Sequence, residues 1–177
     1  MEFTEKEAVI EGLLFAAGTI VKTSTISDIL NEKVENIDNL INSMNNKLEL
    51  ENRALMIRKI NDGYQLCTKP IYHKYISKMY DTKKKQNLSQ AAMETLAIIA
   101  YKQPVTRQEI EKLRGVNSDR SVSVLSEYGL IEDVGRLDVP GRPLIYSTTD
   151  EFLRVFGYSS LKDLPKFNLE ENIADNI

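Results

Sequence analysis

Apolar positions in the first fifty residues recur at helical spacing. Val9, Ile10, Leu13, Leu14 and Ala17 follow Thr4-Glu5-Lys6-Glu7, where a Thr hydroxyl and a Glu carboxylate three residues on satisfy the orphan amides of a helix start. Gly18 is a natural stop. Thr23 to Leu30 reads as a short second helix, and Val34, Ile37, Leu40, Ile41, Met44 and Leu48 mark one apolar face of a third. The period then shortens. Leu55 and Ile57 lie on one parity and Met56 and Ile60 on the other, then come Asn61-Asp62-Gly63 and Tyr64, Leu66, Thr68. This pattern predicts a hairpin in which Asp62-Gly63 supplies the positive backbone dihedrals of a tight turn. Pro70 opens a further helix to about Tyr80.

The order then repeats. Ser89 caps a helix through Tyr101, Pro104 breaks it, and Thr106-Arg107-Gln108-Glu109 forms a second capping box before a short helix stopped by Gly115. Ser118 to Tyr128 predicts the third helix, Leu130 to Val134 and Leu144 to Ser147 two strands, with a turn at Pro140-Gly141. Thr148-Thr149-Asp150-Glu151 caps a last helix whose Phe152, Leu153 and Phe156 close the second core, and Ser160 to Leu164 adds one more turn. Three helices followed by a hairpin is the order of a winged helix. The predicted fold is therefore mainly α with small β-hairpin wings (α+β), as two tandem winged-helix (helix-turn-helix) domains. The expected boundaries are a first domain over 1–82, a linker over 83–87 in the apolar-free run Asp81 to Asn87, a second domain over 88–165 and a mobile acidic tail over 166–177.

Composition narrows the function. With 42% hydrophobic and 28% charged residues in 177, the chain is neither disordered nor fibrous. Its apolar runs are too short to span a bilayer, and the N-terminus lacks the basic region of an export signal, so a cytoplasmic location is expected. Cys67 and His73 are the sole cysteine and histidine, which leaves no disulfide, no cysteine metal cage and one conceivable nucleophile–base pair without an orienting motif. The plainer reading makes Cys67 a small buried residue on a strand and His73 part of a half-exposed helix surface. No phosphate-cradling glycine loop is present. Neither an enzyme nor a cofactor or metal site is expected.

Charge bears on the commonest use of a winged helix, reading DNA. Residues 1–85 carry net +1 and residues 86–177 net −4. The third helix of the first half has Glu35, Asp38 and Glu49 against Lys47, and that of the second has Asp119, Arg120 and Glu127, so neither offers a basic face to phosphates. A DNA-binding transcriptional regulator is the alternative reading; the charges predict no sequence-specific nucleic acid and at most weak nonspecific contact, for instance at Lys83-Lys84-Lys85.

Several blocks resemble one family, segregation and condensation protein B (ScpB) of bacterial condensin-type complexes. They are Leu88 to Tyr101, Gln103-Pro104-Val105-Thr106-Arg107, Ile110-Glu111, Arg114-Gly115-Val116-Asn117-Ser118, Gly129-Leu130-Ile131, Val134-Gly135-Arg136, Pro140-Gly141-Arg142-Pro143 and Thr148 to Leu153. Looser agreement extends to Ile10-Glu11, Leu13-Leu14-Phe15 and Gly63-Tyr64-Gln65-Leu66, so the resemblance covers residues 4–165. It implies two winged helices, a homodimer formed through the first, and binding of the kleisin subunit ScpA, which bridges an SMC ATPase dimer. It further implies a nucleoid-associated role in chromosome condensation, segregation and partition, without catalysis.

Two sets of candidate residues follow. Leu14, Phe15, Ile20 and Val21 put more apolar surface near the first helix than one core stripe requires, which points to dimerisation, although a helix buried on most sides would also explain it. For the kleisin, Tyr101, Gln103 and Pro104 at the end of a helix and Arg136 and Arg142 on the second wing are the candidates, because aromatic and Arg anchors dominate interfaces. A local ion pair for Arg142 in a stiff turn is the competing reading.

Overall fold

The structure is a computed structural model that describes residues 2–79 and 88–166. Helix α1 (Glu5–Ala17) begins as its capping box requires: Thr4 Oγ1 accepts the Glu7 amide at 3.4 Å, and Glu7 Oε2 accepts the Thr4 amide at 2.7 Å. Gly18 closes it at φ +62°. Helices α2 (Thr23–Leu30) and α3 (Val34–Leu50) follow, then strands β2 (Leu55–Ile60) and β3 (Gly63–Thr68). A two-residue strand β1 (Val21–Lys22) pairs antiparallel with β3, Val21 opposite Tyr64, giving the order β1-β3-β2. Ile10, Leu14, Ile26, Ile37, Ile41, Met44, Ile57 and Tyr64 form one core. Each such burial contributes about 1.5–3 kcal/mol, so the helical stripe at 10 and 14 and the strand parity at 57 are tied through the same apolar contact.

The hairpin turn differs from expectation. Ile60 pairs with Gly63, so Asn61 and Asp62 are the central residues and Asn61 carries the positive dihedral, φ +49°. Gly63 serves a different need: a Cβ there would lie 2.6 Å from Ile20 Cγ2 and 2.7 Å from the Val21 carbonyl oxygen, so only glycine lets β1 approach. The expected helix from Pro70 is also broken up, into a 3-10 turn Pro70–Tyr72, a short α4 (His73–Ile76) and a 3-10 turn Ser77–Met79. None of its residues is buried, so no apolar stripe holds a regular helix there. Tyr80 and the expected 83–87 linker lie outside the described residues, as does the expected 166–177 tail apart from Lys166.

The second half repeats the plan: α5 (Gln90–Lys102), β4 (Val105–Thr106), α6 (Arg107–Arg114), α7 (Asp119–Glu127), β5 (Ile131–Arg136), β6 (Leu144–Thr148) and α8 (Asp150–Phe156), with sheet order β4-β6-β5. Strand β5 runs two residues further than its apolar pattern, past a bulge at Val134, where Gly135 takes φ +143°. Phe152 and Phe156 stack with centroids 5.0 Å apart and close this core, and a last 3-10 turn covers Leu161–Asp163. Both halves are winged helices.

The two units meet along a seam. Ile60, at the tip of the first wing, is fully buried in the second unit's core cluster, and Ile20 packs against that cluster. The Asn61 amide donates to the Ser159 carbonyl at 2.7 Å, and the Arg58 guanidinium donates to the carbonyls of Tyr158 at 3.1 Å and Arg154 at 3.4 Å. Arg58 thus caps the carbonyl-rich end of α8 from the other unit.

Candidate partner interface

The four residues expected on a dimer face go separate ways. Leu14 is 1% exposed and belongs to the first core, so its place on the apolar stripe, not at an interface, sets its role. Ile20 is taken by the seam, and Val21 lies in β1 against the first core. Phe15 alone of the four stands out, 78% exposed, with Val9, Ala16 and Ala17 exposed on the same helix. Ile71, Tyr75 and Met79 are also exposed, at four-residue spacing along the broken helix.

Helix α1 is fixed beneath this apolar face by a buried charge. Burial would raise the Glu7 pKa, but hydrogen bonds from Lys47 Nζ at 2.6 Å, the Thr4 amide and Ser43 Oγ at 2.8 Å outweigh it and lower it to about 2. The carboxylate therefore joins the cap of α1 to two residues of α3. A second cluster holds the sheet to α3: Lys59 pairs with Asp38 at 2.9 Å and the Tyr64 hydroxyl donates to the same carboxylate, while burial, then Asp38, pushes Tyr64 up to about 12.

Of the kleisin candidates, Gln103 is occupied inside the fold. Its Oε1 accepts from the Thr148 amide at 2.7 Å and from the Thr148 hydroxyl at 3.0 Å, while Nε2 donates to the Ala100 carbonyl at 3.1 Å. Tyr101 donates its hydroxyl to the Pro165 carbonyl at 2.7 Å, and Pro104 is exposed after a cis bond. Arg136 donates to the Arg142 carbonyl at 3.0 Å. The expected ion pair at Arg142 is not among those of the described residues; its backbone, at φ +38°, closes the wing instead. Arg136 and Arg142 thus come together, whereas Gln103 is separated from them by its own hydrogen bonds.

A groove of about 560 Å³ between the N-terminus of α5 and α7 was not singled out by sequence. Arg114 forms part of its wall with only 7% of its side chain exposed, joined by Arg120, Val116, Val124 and Tyr128. The run Arg114 to Ser118 was visible as a block, but an Arg in the last turn of a helix reads as an ordinary partner of the helix dipole.

Cys67 is half-buried on β3, burial pushes its thiol pKa up and so away from the reactive thiolate, and His73 is exposed on α4. Among the described residues no three His, Cys, Asp or Glu side chains are grouped to hold a metal ion, and no helix is long and apolar enough to cross a membrane.

Residues 8–167 match the family described as segregation and condensation complex subunit ScpB. Segregation and condensation protein B of Ruminiclostridium cellulolyticum is 48% identical over 97% of this chain and 90% of its own length. The crystal structure of ScpB from Mycobacterium tuberculosis is 29% identical, covering 89% of this chain and 98% of that one, with a TM-score of 0.42. A dimer of an ScpB N-terminal domain complexed with ScpA peptide is 25% identical over 42% of this chain and 93% of that one, with a TM-score of 0.40. With a family match that spans both winged helices and a relative nearly half identical over almost the whole length, this chain belongs to the segregation and condensation complex subunit ScpB family.

Proposed function

We propose that this chain is a non-catalytic subunit of a bacterial SMC–kleisin complex, dimerising through its first winged helix and binding the kleisin ScpA through its second. In that role it supports chromosome condensation and segregation in the cytoplasm, at the nucleoid, and meets the SMC ATPase through the kleisin. The observation that carries the reading is the family match across residues 8–167, which includes both units and not one isolated winged helix. The exposed Phe15 on α1 supports the dimer, since 78% of that side chain, beside exposed Val9, Ala16 and Ala17, offers apolar area that a second copy would cover. The expected domain limits 1–82 and 88–165 enter as part of this proposal.

A DNA reader is disfavoured by the acidic residues on α3 and α7. The test is to tag the full chain, purify it from a native lysate and identify what accompanies it, with light scattering on the purified protein. A co-purifying ScpA and a dimeric mass are the expected results. A monomeric mass at micromolar concentration overturns the dimer, and purification without any kleisin overturns the complex.

A further inference from the structure

The groove between α5 and α7 is built from charged parts that the core does not use. Arg114 is nine-tenths buried; one of its terminal nitrogens donates to Ser118 Oγ at 3.0 Å, the other reaches Glu94 at 3.3 Å, and Nε has no acceptor. Nε is itself buried, so the part of the guanidinium a ligand in the groove can reach is the terminal nitrogen that Glu94 meets at 3.3 Å. Glu94 is half exposed and its contact is long for a charge-assisted bond. The N-terminus of α5 opens on the same groove: Ser89 caps it and the first turn carries no acidic residue, so its positive end is uncompensated. Arg120, exposed, lines the same groove. This concentration of positive charge sits in the half of the chain whose net charge is −4.

The lining also carries apolar surface, with Val116 55% and Tyr128 43% exposed and Val124 on α7. A free phosphate would meet the arginines but leave these side chains uncovered. A carboxylate flanked by apolar side chains covers both. We propose that this groove seats an acidic peptide segment: one Asp or Glu side chain accepts from Arg120 and from the Arg114 guanidinium, displacing Glu94, and its apolar neighbours lie on Val116, Val124 and Tyr128. The inference rests on the kleisin-binding reading above and gives it a seat apart from Tyr101, Gln103 and Pro104.

Calorimetric titration of the full chain with its purified partner kleisin tests it. Arg120→Glu is the diagnostic variant, since the side chain is exposed and its loss leaves the core intact; affinity is expected to fall at least tenfold, with an unchanged circular dichroism spectrum. Glu94→Gln is expected to tighten binding severalfold, because the internal competitor for Arg114 is gone; a merely structural Arg114 would not produce that gain. If the parent binds the kleisin and Arg120→Glu binds equally well, the groove assignment is overturned while the subunit reading stands. If the parent does not bind the kleisin, both fall. Fluorescence anisotropy with a 30-base-pair duplex as probe covers the other class of ligand, and salt-dependent binding that disappears in Arg120→Glu would overturn the peptide in favour of DNA.

Discussion

Substituting Glu7→Gln isolates the charge that fastens α1 to α3. Glutamine keeps the shape of the side chain and still serves a capping box, so the start of α1 survives. What is lost is the pairing with Lys47, which retains 15% of its side-chain exposure while Glu7 retains 2%. A carboxyl lowered from 4.5 to about 2 releases its proton more readily by about 3 kcal/mol, and that figure is a ceiling on what the charged form contributes to stability. Water at Lys47 takes back part of it, so a loss of about 1–3 kcal/mol is expected at pH 7, or roughly 4–8 °C in midpoint for each kcal/mol in a unit of this size.

The sign of the pH dependence follows. A folded-state pKa below the unfolded one stabilises fully above about pH 4.5, and the contribution fades as pH falls through 2, below which both states are protonated. Urea denaturation followed by circular dichroism at pH 7 and again near pH 2 is the assay. The gap between parent and variant should be present in the first and nearly closed in the second. A variant as stable as the parent at pH 7, or a gap that persists unchanged at the acid end, would refute the reasoning.

Leu14→Ala, a core deletion, is expected to cost about 2–5 kcal/mol in urea denaturation. Phe15→Glu, one residue on, should change stability by less than about 0.5 kcal/mol yet halve the mass seen by light scattering; equal destabilisation by both would place Phe15 in the core. Gly63→Ala forces a Cβ against the Val21 carbonyl and should free β1, seen as faster hydrogen exchange at Val21 and Lys22 and a loss of about 1–3 kcal/mol; unaltered exchange would contradict this. Gln103→Ala leaves the Thr148 amide without its acceptor, so about 1–3 kcal/mol of stability should go while kleisin affinity stays within twofold. A large affinity loss on an intact fold would restore Gln103 as a contact.

The elements legible in the sequence were those with a local physical marker. Thr4, Thr106 and Thr149 each accept the amide expected of a helix cap, and α3 was readable from one apolar stripe. Strands β1 and β4 were not readable, because two residues carry no period; what makes Val21 a strand is Tyr64, forty-three positions away. The same limit explains the surface. Leu14 and Phe15 are adjacent and equally apolar, and only the packing of α2 and α3 against α1 decides which is core. Arg114 was hidden for the opposite reason: nothing local distinguishes an arginine at a helix end from one driven into a groove wall.

In the first unit one side of the hairpin tip is covered by the second unit. Ile60 and the Asn61 amide are spent on the neighbouring unit, and Arg58 clasps the end of α8. A wing used in this way is a rivet. It ties two small folds together, so that a pull on one unit reaches the other through Ile60 and Arg58.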